Sequence, residues 1–81
     1  MSRIEKLIAR FKSHPNDFTL DELTRLLNYL GYTEVVGSGS RRKFIHDRHH
    51  LIVLHKPHPK KVLKMYQMDQ IFEVLTEEGL I

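Results

Sequence analysis

The chain has 81 residues, 41% hydrophobic and 28% charged, with no cysteine and a net charge of +3. That length supports one domain with one small core, burying somewhat over ~60% of the unfolded surface, and the apolar content excludes a disordered chain. The absence of cysteine excludes a disulfide framework and a thiolate metal site. No apolar run reaches leader or membrane-spanning length, so the expected location is the cytoplasm.

Ile4, Leu7, Ile8 and Phe11 recur at helical spacing and predict a first helix from about Arg3 to Ser13, with Ser2 and Glu5 as a reciprocal cap. Pro15 stops it, and His14 is expected in extended geometry because the proline ring crowds the residue before it. Thr19 and Glu22 form a second capping box. The stripe Leu20, Leu23, Leu27 and Leu30 predicts a buried helix face, and Gly31 supplies the stop.

Tyr32 to Val36 reads as a strand, and Gly37-Ser38-Gly39-Ser40 as a turn. In a second strand, Arg42, Phe44 and His46 alternate with Arg41, Lys43 and Ile45. Asp47 to His50 form the next turn, in which His49 and His50 are expected to meet solvent. Leu51-Ile52-Val53-Leu54 is a continuous apolar run, expected to be central or buried on both faces. Pro57 and Pro59 then force an exit loop, since a central strand needs their missing N–H groups. A last helix begins between Lys64 and Met68, buries Met68, Ile71, Phe72 and Leu75, and ends at Gly79, with Leu80 and Ile81 tucked against the core. The fold class is α+β: two helices, an antiparallel meander and a third helix, with the helices on one face of the sheet and the other face wet.

Charge is distributed unevenly along this order. Residues 41–64 hold eight cations and one acid, a net +7, whereas the remainder holds five cations and nine acids, a net −4. A basic block between acidic flanks points to a phosphate backbone or an acidic partner. Five of the six histidines fall between His46 and His58. On alternating strand positions these rings do not converge, and no HExxH motif is present, so neither a metal nor any other cofactor is expected.

The element order, the Gly-Ser-Gly-Ser-Arg-x-x-Phe turn and strand, the apolar strand ending in His-Lys-Pro-His-Pro, and the terminal Glu-Glu-Gly-Leu-Ile resemble the HicA family of bacterial toxin–antitoxin toxins. The resemblance implies a double-stranded-RNA-binding-domain-like fold: an N-terminal helical extension over 1–18, then an α-β-β-β-α core over 19–81, the whole chain forming a single domain. It also implies a ribosome-independent, metal-independent endoribonuclease that cuts mRNA. Its partners would be RNA and a HicB-like antitoxin, with no membrane and with DNA met only through the antitoxin.

Gly39-Ser40-Arg41 stands where most of the family has Gly-Ser-His, whose histidine is the catalytic one. Arginine cannot accept a proton near neutral pH, so Arg41 is expected to hold phosphate and stabilise charge at phosphorus. Metal-free cleavage needs a base for the 2′-OH and an acid for the leaving 5′ oxygen, both best served by imidazole. His58 matches a recurrent family histidine after the last strand and is the first candidate, followed by His55 and then His46. Ser40, Arg42, Lys43, Lys56, Lys60, Lys61 and Lys64 are the expected RNA contacts. Tyr66 is the one aromatic placed for base stacking, and Phe44 is read as core, so sequence-specific reading of RNA is expected to be weak. The alternative is a catalytically silent protein of the same fold that binds RNA or the antitoxin.

Overall fold

The computed structural model describes residues 3–36, 39, 41–57 and 60–81. The elements follow the order α1 (Arg3–Lys12), α2 (Leu20–Tyr29), β1 (Thr33–Val36), β2 (Arg41–Ile45), β3 (Ile52–His55) and α3 (Met65–Glu77), an α+β fold. The expected Ser2 cap, most of the first turn and His58 lie outside the described residues.

Helix α1 ends differently from the expectation. His14 takes φ = 52°, in the left-handed region, and is not extended. That conformation costs roughly 1–2 kcal/mol for a residue with a Cβ. Several contacts offset it. The His14 amide donates to the Phe11 carbonyl at 3.1 Å. The ring stands edge-on to Phe72 with centroids 4.7 Å apart, and Nε2 lies 3.3 Å from Asp69 Oδ1. His14 thus ties the end of α1 to α3.

Helix α2 opens with the expected box. Glu22 Oε1 accepts from the Thr19 amide at 3.0 Å, and Thr19 Oγ1 accepts from the Glu22 amide at 3.1 Å. The same carboxylate receives Arg10 Nε from α1 at 2.9 Å, while Arg10 Nη2 reaches Asp17 Oδ1 at 3.0 Å. The Arg10 hydrogen bond is the main reason that Glu22 sits below its ordinary pKa of 4.5. At the far end Gly31 adopts φ = +99°, and a Cβ there would come within 2.6 Å of His46 Nε2. Gly31 is therefore required twice, once by the backbone and once by the ring beside it.

The sheet is an antiparallel meander in the order β1-β2-β3. Strand β3 is an edge strand, and its residues alternate: Ile52 and Leu54 are buried, whereas Val53 and His55 are exposed. The expectation of a central or doubly buried strand is therefore corrected. A three-strand meander puts β2 in the middle, and all three helices cover one face only. That inner face places Phe44, Ile52 and Leu54 against Phe11, Phe18 and the leucines of α2. The last helix buries Met68, Ile71 and Leu75, with Phe72, Leu80 and Ile81 packed at the margin of the core.

Candidate functional site

The pleat sorts the basic residues. In β2 and β3, Arg41 pairs with His55 and Lys43 with Val53. Directly opposed residues of an antiparallel pair lie on one face with Cα atoms roughly 4.5–5.5 Å apart. Arg41, Lys43 and His55 are all exposed on the face that no helix covers. Among the described residues, the side chains of Arg41 and His55 take part in no hydrogen bond or ion pair. Around them the same face exposes Val35, Ile45 and Val53. The result is a cationic row at the open end of the sheet, beside an aliphatic patch.

Arg42 points the other way. Its Nε lies 3.6 Å from Glu34 Oε2, and it lines a helix-side cleft with Lys56, Lys61, Asp21, Thr24 and Val36. The expected cluster is thus split into two banks at one end of the sheet: Arg41, Lys43 and His55 outside, Arg42, Lys56 and Lys61 inside. Lys60 and Lys64 are exposed on the segment between β3 and α3. That segment is pinned to the start of α2, because the Leu20 amide donates to the Lys61 carbonyl and the Leu63 amide to the Phe18 carbonyl, each at 2.8 Å. Tyr66, in the first turn of α3, is exposed.

Two supports were not read from the sequence. Asp21 and Glu34 place carboxylates in the inner cleft, so that bank is not purely cationic. Gln67 is the single buried polar side chain among the described residues. Its Nε2 donates to the His55 carbonyl at 3.0 Å, and its Oε1 accepts from the Lys64 amide at 3.0 Å. Lys64 has no side-chain oxygen to complete a box, so the α3 cap is one-sided. Gln67 therefore couples the backbone of the exposed His55 to the lysine-bearing entry of α3. A glutamine three residues into a helix is a recognisable capping signal once the helix start is known.

At the turn end of the sheet the rings of His46 and His49 are engaged, while His50 is exposed and bonded through its backbone. His46 Nδ1 accepts from the Arg48 amide at 3.0 Å, which leaves Nε2–H to donate to the Leu30 carbonyl at 3.1 Å. Its ring stands edge-on to Tyr32 and to His49. His49 is half-buried, with Nδ1 3.3 Å from Glu78 Oε1, which corrects its expected solvent exposure. Glu78 also accepts from the His50 amide at 2.8 Å, the main reason that its carboxyl sits below the ordinary range. Tyr32 donates to the His50 carbonyl at 2.8 Å, and burial, reinforced by the Glu78 charge, pushes its phenol pKa up.

Fold and site together define a small α+β domain whose helix-backed sheet leaves one face, with a cationic end, to solvent. Residues 20–76, more than half of the chain, match the family model described as the HicA toxin of bacterial toxin–antitoxin, and the chain belongs to that family. Membership implies a cognate antitoxin as partner. Helix α1 precedes the matched segment. No curated protein and no solved structure matches the chain. Among the described residues, no helix is long and apolar enough to cross a membrane.

Proposed function

We propose that this toxin is an mRNA-cleaving endoribonuclease that works without metal and is neutralised by a HicB-type antitoxin. The observation that supports this reading best is the cross-strand pair Arg41 and His55, both exposed on the uncovered face with Lys43 beside them. Imidazole titrates near neutral pH and can take or give a proton at ribose or at the leaving oxygen. The guanidinium, always charged, offers two parallel N–H donors to a phosphate and stabilises the pentacoordinate phosphorus.

In the proposed reaction a base removes the 2′-OH proton, and the 2′ oxygen attacks the adjacent phosphorus. The bond to the 5′ oxygen breaks as an acid protonates it. The products are a 2′,3′-cyclic phosphate and a free 5′-OH. His55 and His58, three residues apart in the chain, are the proposed base and acid, and Arg41 takes the place of the family's usual histidine as the group that holds phosphate. Lys43, Lys56, Lys60, Lys61 and Lys64, with Ser40 and Arg42, would bind the RNA backbone. An antitoxin that laid an acidic surface over the open end would shield Arg41 and His55 from RNA.

A second reading rests on Arg41 itself: without an imidazole at that position, the protein would bind RNA or antitoxin without cutting. Induction in a bacterial host separates the two. Growth arrest with loss of full-length mRNA, both abolished by His55→Ala or His58→Ala in folded protein, is the expected result. Normal growth at good soluble expression would favour the silent binder, and undiminished arrest by either variant would remove that histidine from the reaction.

A further inference from the structure

Away from the sheet, α1 and Arg25 of α2 border an open groove of about 440 Å³ lined by Arg3, Ile4, Lys6, Leu7, Arg10 and Arg25. Its floor is aliphatic. Leu7 rests partly on the core, while Ile4 is half-buried without joining the core's margin. The other four lining residues are cations, and no acid is among the described residues that line the groove. Of these, Arg10 is drawn toward Asp17 and Glu22, which leaves Arg3, Lys6 and Arg25 as the rim charges. None of the described lining residues comes from the sheet, and most belong to α1, outside the family-matched segment.

We propose that this groove docks an acidic, amphipathic segment of a protein partner. One or two apolar side chains of the segment rest on Ile4 and Leu7, and its flanking carboxylates meet Arg3, Lys6 and Arg25. Charge complementarity fixes the sign of the occupant: a cationic rim repels a basic segment and favours an acidic one. The aliphatic floor fixes its second property, because a phosphate backbone has nothing to place there, whereas an apolar anchor does. The volume lies within the range of small recognition pockets. A bilayer is a poorer occupant. Phe11 is wholly buried and Leu7 and Ile8 pack on the core, so α1 retains too little apolar surface to insert. The inference does not depend on RNA cleavage, since neither Arg41 nor His55 lines the groove.

The test is selection of a 16-residue phage-displayed peptide library on the full chain, followed by affinity measurement with the synthetic peptides recovered. Recovered peptides should carry Asp or Glu around one or two large apolar residues. Lys6→Glu combined with Arg25→Glu should weaken their binding at least tenfold, and Ile4→Ser should do so severalfold. Lys6 and Arg25 are exposed, and Lys6→Gln with Arg25→Gln provides a milder pair should the charge reversal disturb folding. Amide shifts on binding should centre on Ile4, Leu7 and Arg25. Peptides without acidic excess, equal affinity for either double variant, or shifts centred on the sheet would overturn the proposal. So would a dimer in sedimentation that these substitutions dissociate, which would make the groove a contact between copies. Binding to phosphatidylglycerol vesicles lost in the same variants would assign it to a membrane surface instead.

Discussion

At the turn end of the sheet, His46 is bonded through both ring nitrogens and His49 faces a carboxylate, while Tyr32 and Glu78 close the network onto the His50 backbone. At the open end, His55 and Arg41 sit opposite each other, exposed and unbonded through their side chains among the described residues. The residue types overlap, but their use is opposite. An imidazole whose two nitrogens are already committed is held in one tautomer and cannot exchange a proton without losing a bond. One that faces solvent on a rigid strand can. The comparison separates histidines that hold the fold together from those available to a ligand.

The sharpest way to break this comparison is to delete one imidazole from each end. His55→Ala should lower RNA cleavage about 10²–10⁴-fold, the usual contribution of a general acid or base, while unfolding free energy changes by less than about 0.5 kcal/mol. Single-turnover cleavage and urea denaturation read the two effects. Next in size is Gly31→Ala. Positive φ and the His46 ring together should cost about 2–4 kcal/mol, seen as a lower urea midpoint. His46→Ala should follow at about 1–3 kcal/mol, since it strands the Leu30 carbonyl and the Arg48 amide. Stability loss on His55→Ala equal to that on His46→Ala would erase the distinction.

Smaller effects sharpen the same contrast. The folded-state pKa of Glu78 is lowered, so its contribution to stability is present above its ordinary value of 4.5 and is lost as pH falls through the folded value. Glu78→Gln should therefore reduce the urea midpoint at pH 7 and flatten its decline below about pH 4.5. An unchanged acid limb would remove Glu78 from the network. At the open end, Lys60→Ala with Lys61→Ala should weaken RNA binding and reduce the salt slope by about one unit or slightly more. An unchanged slope would mean that these lysines meet no phosphate.

Much of this architecture was legible in the chain. The Thr19–Glu22 box, the stop at Gly31 and the α3 stripe follow from spacing, because each depends on neighbours within one or two helical turns. What failed depended on distant partners. Leu51 to Leu54 reads as central or doubly buried because a continuous apolar run does not show the alternation that an edge strand with one covered face adopts. His14 read as extended because Phe72 and Asp69, which reward its left-handed turn, lie in α3. His49 read as exposed because Glu78 comes from the other end of the sequence. For the candidate site, alternation along β2 correctly separates Arg41 and Lys43 from Arg42. The opposition of Arg41 to His55 required the strand register, which the length of the intervening turn alone does not fix.

The most direct test of the division between the two ends is an NMR titration of the imidazole C–H resonances with a 2′-deoxy-substituted, non-cleavable RNA oligonucleotide. His55 should shift progressively on addition of the oligonucleotide, while His46 and His49 hold their positions. Shifts confined to His46 and His49, with His55 unmoved, would contradict the account.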